Sequence, residues 1–550
     1  MAEFYRGPAQ HTNGYYQCQS LILLNLLVGN CGWKGGWSAG GGHFHEFGGK
    51  AANPYNFADL HPGKLTAFGP PVTRERMRYE DTSLFDGEHY DAQRPWYPFT
   101  SNVYQEVIPA AGAEYPYNIG CLFLHKGTPV MSCPAGHKQI EILRDPKKVP
   151  LFIASDITVA ETSMFADYII PDLSIWERWG TPHITPAMLT TVSKIRQPVA
   201  APTTEIVEVD GDPLPICMET FLIAVAKRLG LSGFGKDAFG PGQHFDRPEE
   251  FYLKAVANIA SGDKVDEDGQ PIHAAPEADD DEIELFVRTR RHLPPAVFDE
   301  AKWRRAVGGD ESLWRRVVTV LNRGGHFEDW VHRYDGEKQA HPYTGNFNFY
   351  VEPVATQRDS MTGESYDGLP KLEPVRDARG NVLDDGPEYP FLLSTYKDIL
   401  GGQSRTSPAD GWLTEIFGDE HGNRVLMNRR DADRLGVKHG DRVKITSPTL
   451  PDGRFQITDG QERELTGLVH VMEGMRPGTV SICWSFGHWA YGSDDLEIDG
   501  QPVRGEPSRA RGINPNPLLR EDTSIGNVCL TDPIGGSASY YDTRVNIQRI

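Results

Sequence analysis

At 550 residues the chain is too long for a single hydrophobic core, so we expect two or three domains. A hydrophobic content of 39%, with 57 Gly and 41 Pro, is typical of a soluble, loop-rich globular enzyme. The formal net charge of −21 argues against nucleic acid as a partner, because phosphate binding requires a basic face.

The seven cysteines are widely spaced, and the sequence has no run of the kind that holds an iron–sulfur cluster. We expect them to be free thiols in core positions. The most apolar window, residues 21–28, is far shorter than a membrane span. Residues 1–6 have neither an apolar signal region nor a twin-arginine pair, so no export signal is expected.

A helix is predicted over residues 15–28, capped by Thr12 or Asn13 and ended at Gly29. Its expected buried face consists of Leu21, Leu24, Leu27 and Val28. The glycine-rich stretch that follows, residues 32–42, is either a flexible surface loop or a place where backbone approaches a bulky ligand closely.

Residues 51–115 show no period and are interpreted as an excursion across the surface. Short apolar runs over 119–124, 150–154 and 168–170 then predict three strands, with a helix over 159–166 between the last two. This alternation indicates a parallel α/β sheet with ligand loops at the carboxyl ends of its strands.

Two further helices are predicted over 218–230 and 249–259, followed by an acidic loop over 262–282. Residues 283–389 are expected to contain one or two helices and to end in a linker. Short strands separated by Gly, Pro and Asp turns after residue 390 indicate a closed β-barrel. The predicted domains are 1–260, 261–389 and 390–550.

Three segments in this last domain carry a family resemblance: residues 486–492, 512–518 and 532–538. In this order they resemble the C-terminal molybdopterin-guanine-dinucleotide-binding domain of the DMSO reductase family of molybdenum and tungsten enzymes. The tetrathionate reductase catalytic subunits are the nearest branch, and respiratory arsenate reductases are next. Residues 160–171 look like the family's dinucleotide-binding α/β domain.

The resemblance implies an α/β dinucleotide-binding domain followed by a C-terminal barrel of the double-psi type. It also implies a molybdenum ion held by two molybdopterin guanine dinucleotides, which carry the redox step. The family's 4Fe-4S cluster and metal-ligand segment are expected upstream of the residues given. No residue is therefore assigned as a metal ligand, and the contexts of Cys18 and Cys31 do not resemble that ligand.

By the same resemblance, the predicted catalytic residues are Gln10, His11 and Asn13. The predicted cofactor-binding residues are Gly35, Gly36, Asp156, Thr158, Thr162, Gln403, Ser404, Arg405, Thr406, His488, Trp489, Tyr491 and Asn527. Asp156 could accept hydrogen bonds from a guanine or cap a helix, and both roles suit a carboxylate. His488 and Trp489 could instead be ordinary barrel core.

The implied activity is reduction of tetrathionate to thiosulfate in anaerobic respiration. The alternatives are reduction of arsenate or another oxyanion, and a non-catalytic cofactor-binding or assembly protein. The implied partners are the iron–sulfur electron-transfer subunit of the complex, its membrane-anchor subunit, and a separate N-terminal half of the same subunit. The resemblance alone also implies a periplasmic location, and we expect the chain by itself to lack reductase activity.

A generic hydrolase built on Asp156, Glu161 or His183 is a third hypothesis. The sequence contains no nucleophile elbow and no His-metal spacing that would support it.

Overall fold

The computed structural model describes residues 1–60, 69–181, 188–397, 424–458 and 460–550. None of the helices in these ranges has the length and apolarity needed to cross a bilayer.

The helices of the described residues are α1 (Gly14–Leu27), α2 (Ser83–Glu88), α3 (Val107–Ala113), α4 (Pro129–Ser132), α5 (Ile140–Arg144), α6 (Met218–Arg228), α7 (Pro248–Ser261), α8 (Asp280–Arg290), α9 (Glu300–Val307), α10 (Glu311–Arg323), α11 (Glu352–Ala355) and α12 (Arg429–Leu435).

The strands are β1 (Leu122–His125), β2 (Phe152–Asp156), β3 (Tyr168–Pro171), β4 (Val192–Lys194), β5 (Ile206–Val209), β6 (Asp212–Pro215), β7 (Lys264–Val265), β8 (Pro271–Ile272), β9 (Gly325–Phe327), β10 (Tyr334–Asp335), β11 (Lys338–Gln339), β12 (Phe391–Tyr396), β13 (Arg424–Met427), β14 (Arg442–Thr446), β15 (Arg454–Thr458), β16 (Gln461–Glu464), β17 (Thr466–Val471), β18 (Thr479–Cys483), β19 (Leu496–Ile498), β20 (Gln501–Val503) and β21 (Arg544–Arg549).

Strands β1, β2 and β3 form a three-stranded sheet in that order, and both pairings are parallel. Leu122 pairs with Phe152, and Ile153 pairs with Tyr168. The predicted parallel sheet is therefore confirmed. Its strands end at one edge, where Asp156 closes β2 and opens a polar loop.

The C-terminal part contains a closed six-stranded barrel in the order β12-β18-β13-β17-β14-β21. The pairs β12–β18 and β13–β17 are parallel, and the remaining pairs are antiparallel. Alternate side chains point inward and are completely buried: Leu393, Val425, Val443, Val480 and Val545. The predicted barrel is confirmed.

The sheet and the barrel share one hydrophobic core. Phe152 and Ala154 of β2 belong to the same buried cluster as Val425 and Ile482 of the barrel. A second cluster lies among α7, α8, α9 and α10, around Trp303 and Trp314. The predicted division into 1–260, 261–389 and 390–550 remains a prediction.

The helical content after residue 262 was underpredicted. Residues 283–389 contain α9, α10, α11 and most of α8, rather than one or two helices. The acidic run at 279–282 is not a loop, because Asp279 caps α8 by accepting a hydrogen bond from the Glu282 amide at 2.8 Å. Acidic side chains in a first turn also complement the helix dipole, and for this reason the run begins a helix.

The prediction that residues 51–115 cross the surface was wrong for part of residues 69–115. Arg74, Arg94 and Glu106 are buried there, and both guanidinium groups donate hydrogen bonds to the Glu106 carboxylate. Tyr79 and Trp96 pack in a small core beside them. These charged side chains can be buried because they neutralise one another. The many charged residues of this segment had suggested that it lies on the surface.

The predicted buried face of α1 was also wrong. Leu24, Leu27 and Val28 are exposed, whereas Tyr16, Gln19 and Asn25 are buried. The helix is apolar on most sides, so its sequence period does not select one face. Asn13 is the N-cap residue, but its side chain accepts a hydrogen bond from Gln17 Nε2 at 2.6 Å instead of capping a backbone amide.

The helix predicted over 159–166 is absent from these described residues, which contain a 3₁₀ turn at Ser163–Phe165. Ser163 Oγ donates to the Asp156 carboxylate at 2.9 Å and accepts from the Ala160 amide at 2.8 Å. Side-chain bonds of this kind compete with helical backbone bonds, and here they hold a tight loop after β2.

Candidate functional site

Two loops that carry predicted cofactor-binding residues meet between the sheet and the barrel. One follows β2 and the other follows β18. The Tyr491 amide donates a hydrogen bond to the Val159 carbonyl at 2.7 Å. The rings of His488 and Tyr491 stack with centroids 5.1 Å apart. The structure therefore brings these two loops to one place.

Glu161, which the sequence did not single out for cofactor binding, joins these two loops. Its Oε1 accepts hydrogen bonds from His488 Nδ1 at 2.8 Å and from the amides of Trp489 and Ala490 at 3.3 and 3.2 Å. Burial would raise the pKa of this carboxyl, but His488 and the backbone donors outweigh burial and hold the pKa below its ordinary value. The only sequence signal was its position inside the segment 160–171.

Three buried side chains of the β18 loop have polar atoms with no hydrogen-bond partner among the described residues. These atoms are Ser485 Oγ, His488 Nε2 and Trp489 Nε1. The side chains are at most 1% exposed. Buried polar atoms nearly always have partners, so this loop is equipped to contact a bound group. Their chemistry fits the ring nitrogens and oxygens of a pterin or its phosphates.

Asp156 is committed to its own loop. Its Oδ1 accepts from the Ile157 amide at 2.8 Å and its Oδ2 accepts from Ser163 Oγ at 2.9 Å. The residue at the N-cap of the following 3₁₀ turn is Thr162, so Asp156 does not cap a helix there. Its contact with a guanine remains a prediction.

The two predicted threonines in this loop differ in burial. Thr162 is completely buried, and its Oγ1 accepts a hydrogen bond from the Val130 amide at 3.0 Å. This bond fixes the β2 loop against α4. Thr158 is exposed on the same loop. Of the two, Thr158 is therefore the better placed to meet a ligand from solvent.

The predicted catalytic residues Gln10 and His11 dock onto the C-terminal segment. His11 Nδ1 lies 2.6 Å from Asp542 Oδ1, and the Gln10 carbonyl accepts from the Tyr540 amide at 3.0 Å. The His11 ring is also 5.6 Å from that of Tyr541, which hydrogen-bonds to Thr395 near the end of β12. No feature of the sequence pointed to Asp542 as a partner.

Strand β12 leads from this place toward residues 398–423. Four predicted cofactor-binding residues, Gln403, Ser404, Arg405 and Thr406, lie outside the described residues. The roles of these four residues remain predictions.

The other predicted cofactor-binding residues lie in separate turns. Gly35 has a φ of +76° and the Gly36 amide donates to the Trp33 carbonyl at 2.9 Å, which closes a β-turn. Asn527 is exposed, and its amide donates to Glu521 Oε1 at 3.1 Å. These contacts are local to each turn and do not reach the loop of His488.

A cavity of about 320 Å³ lies beside the first turn of α1 and was not foreseen from the sequence. Thr12, Tyr97, Asp359 and Glu373 are among its lining residues. Its carboxylates outnumber its cationic side chains six to three, and burial raises the pKa of Asp359 to about 6. Such a lining disfavours an oxyanion in this cavity.

Among the residues that the structure describes, Asp172, Cys217 and Glu219 form one group with metal-ligand spacing, within 4.8 Å. Lys126 Nζ lies 3.2 Å from Asp172, and Arg178 pairs with both carboxylates. These cations already neutralise the group, so we do not assign a metal to it.

Cys18 and Cys31 are free thiols, and burial raises the pKa of each. Neither has the lowered pKa of an activated cysteine. That neither of them binds the metal remains a prediction.

No protein-family model matches the chain. It is 46% identical over 548 residues to a selenate reductase subunit of Mesobacillus selenatarsenatis, a match that covers 100% of this chain and 51% of that protein. It is 31% identical to a tetrathionate reductase subunit of Salmonella typhimurium, a match that covers 98% of this chain and 50% of that protein. A third relative is the arsenate respiratory reductase molybdopterin-containing subunit of a Shewanella species, which is 25% identical over 99% of this chain and 56% of that protein. The chain thus spans about half the length of the relatives it matches.

Proposed function

Because the chain belongs to the DMSO reductase family of molybdopterin oxidoreductases, we propose that it forms one portion of an oxyanion reductase. In this proposal it supplies part of the cradle for molybdenum bound by two molybdopterin guanine dinucleotides. We also propose that its barrel is of the double-psi type, which the two parallel strand pairs support.

One observation carries this proposal: the unpartnered polar atoms of Ser485, His488 and Trp489 in the β18 loop. A bound cofactor would give these buried atoms the partners they lack. The loop after β2 lies against them through Glu161, so the same site has walls from both the sheet and the barrel. When bound, the cofactor supplies the two-electron chemistry.

The residues of this chain bind and orient that group. Buried side chains on a rigid barrel hold a ligand in one geometry, because their rotamers are fixed by packing. The exposed Thr158 would contact parts of the cofactor that lie farther from His488. Arg405, whose cofactor-binding role is a prediction, would do the same, because a guanidinium fork suits phosphate. No residue here is assigned as the metal ligand.

The substrate remains a proposal within the oxyanion class. The sequence segments pointed to tetrathionate, with arsenate next. The higher identity of the selenate reductase relative, 46% against 31%, now favours selenate as the first substrate to test. The same proposal includes a periplasmic location, an iron–sulfur electron-transfer partner and a membrane-anchor partner.

The test is metal and cofactor analysis of the chain, produced in a host that makes the cofactor. It is purified alone and together with a polypeptide matching the other half of the selenate reductase relative. Molybdenum and guanine nucleotide are expected only in the joint sample, which should also reduce selenate, tetrathionate or arsenate with a viologen donor.

Absence of cofactor from both samples would refute a role in cofactor binding. Cofactor without reduction of any of the three substrates would support the non-catalytic alternative. Stoichiometric molybdenum on the chain alone would contradict a shared site and would direct attention to Cys18, Cys31 and His11.

A further inference from the structure

We propose that Glu161 is a positioning residue that orients the His488 imidazole, so that Nε2 is the atom presented to the cofactor. This inference rests on the proposed function, but its geometry is a property of the chain alone. In this role Glu161 acts through His488, and its other oxygen, Oε2, is also buried without a hydrogen-bond partner among the described residues.

The first step is the convergence of donors on one carboxylate oxygen. Oε1 of Glu161 receives the His488 ring nitrogen and two consecutive backbone amides, those of Trp489 and Ala490. Because the three donors come from one short segment, the carboxylate fixes the backbone of the loop as well as the ring. Glu161 and His488 are both completely buried, so water does not compete for these bonds.

The second step is the position of the proton on the ring. His488 and the amides hold the pKa of Glu161 below its ordinary value against the effect of burial, so the carboxyl is ionised at neutral pH. An ionised carboxylate only accepts hydrogen bonds, and therefore Nδ1 must carry the hydrogen. Nε2, which has no partner among the described residues, is then the atom that faces a ligand.

The third step is the relation of this pair to the hairpin of β15 and β16. Phe455 of β15 lies against Trp489 with ring centroids 5.5 Å apart, and Arg463 of β16 donates a hydrogen bond to the His488 carbonyl at 3.1 Å. Side chains of this hairpin thus hold the far side of the loop, while Glu161 holds the near side from the α/β part. The imidazole has little freedom to turn its other edge toward the ligand.

One substitution separates the two ring nitrogens of His488, and two substitutions of Glu161 separate the loss of its charge from the loss of its acceptor oxygen. An asparagine amide nitrogen occupies about the place of Nδ1, and asparagine has no atom at Nε2. His488→Asn therefore keeps a donor for Glu161 but removes the ligand-facing atom. Glu161→Gln keeps an acceptor oxygen for the ring and for the two amides, whereas Glu161→Ala removes it.

Two readouts are needed, both on the full chain. The first is hydrogen–deuterium exchange of the Trp489 and Ala490 amides in the chain purified alone. The second is pterin and guanine nucleotide content per chain in the joint sample described above. The matched control is Glu249→Ala, since Glu249 is, like Glu161, a buried glutamate that pairs with a basic side chain, here Arg247 next to α7.

We expect Glu161→Gln to match the wild type in both readouts. Glu161→Ala should speed amide exchange in the loop and lower cofactor content by about tenfold or more, the usual effect of losing a residue that orients a ligating group. His488→Asn should keep the exchange rates of the wild type and yet lose cofactor to a similar extent. Glu249→Ala should keep its cofactor.

Wild-type cofactor content in Glu161→Ala or in His488→Asn would overturn the inference, and so would a matching loss in Glu249→Ala. A wild-type joint sample without any cofactor would refute the proposed function instead. In that case, if Glu161→Ala leaves the exchange rates of the Trp489 and Ala490 amides unchanged, the claim that Glu161 fixes this loop would be refuted separately.

Discussion

The buried cluster of Arg74, Glu106 and Arg94 gives the sharpest prediction about stability. Glu106 is completely buried, and both of its carboxylate oxygens accept from guanidinium groups, with Arg94 Nε at 3.0 Å and Arg94 Nη2 at 3.2 Å. Glu106→Gln keeps the shape of the side chain but removes its charge. Two buried cations would then lack their counter-charge.

The magnitude follows from that loss. Removing one partner of a buried ion pair costs about 3–5 kcal/mol, and here two guanidinium groups share the lost partner, so we expect about 4–5 kcal/mol. The matched control is Glu284→Gln, because Glu284 pairs with Arg288 on the exposed face of α8 and should cost at most about 0.5 kcal/mol.

The effect should also depend on pH with a definite sign. Burial would raise the pKa of Glu106, but the two arginines outweigh burial and hold it below the ordinary value of 4.5. A carboxyl whose pKa is lower in the folded than in the unfolded state stabilises the folded state at pH values above its unfolded pKa. This stabilisation is lost as the pH falls toward the folded-state pKa. The difference between wild type and Glu106→Gln should therefore be constant at neutral pH and shrink below about 4.5.

The loss of stability is measured by urea unfolding of both variants, with amide exchange in residues 69–115 as the local readout. Local exchange is needed because a chain with more than one core need not unfold in one step. A Glu106→Gln variant within about 1 kcal/mol of the wild type at pH 7 would refute the claim that the cluster depends on its charges.

Three further predictions concern other parts of the chain. Leu393→Ala should lower the stability of the barrel by about 2–5 kcal/mol in thermal unfolding, because Leu393 is buried inside it. Leu392→Ala, on the outer face, should lower it by less than about 1 kcal/mol, and equal effects would contradict the inward orientation of Leu393. Asp532 is buried with a pKa raised to about 6, so wild-type stability should fall relative to Asp532→Asn as the pH rises through 6, and parallel melting profiles would contradict this. Asp279→Ala should cost about 1 kcal/mol and speed amide exchange at the start of α8, unlike Asp281→Ala; equal exchange would argue against the cap.

The barrel could be predicted because its information is local. Apolar residues alternate along β14 and β18, β12 begins with a short apolar run, and turn residues such as Gly436, with a φ of +68°, mark the ends of elements. Helix α10 could have been found in the same way, since Trp314, Val317, Val318 and Leu321 follow the helical period.

The site was less accessible to sequence reasoning, because its contacts are remote in sequence. Glu161 and His488 are 327 residues apart, and His11 and Asp542 are 531 apart. A single sequence contains no signal for such a pairing. Local rules also failed at α1, where an apolar helix presents polar residues to the interior, and at Ser163, where side-chain bonds replace a helical turn.

The order of strands in the barrel has a consequence for biosynthesis. Strand β12 pairs with β21, through Phe391 and Val545, and β21 also pairs with β14. During translation at about 5–20 residues per second, the ribosome needs on the order of 10 s to pass from the first of these strands to the last. Throughout that interval β12 lacks at least one of its two neighbours, β18 and β21, and its unpaired edge is a place where nascent chains could associate wrongly. Barrel closure is therefore a late event, and a chaperone that shields β12 on the ribosome should raise the yield of native protein.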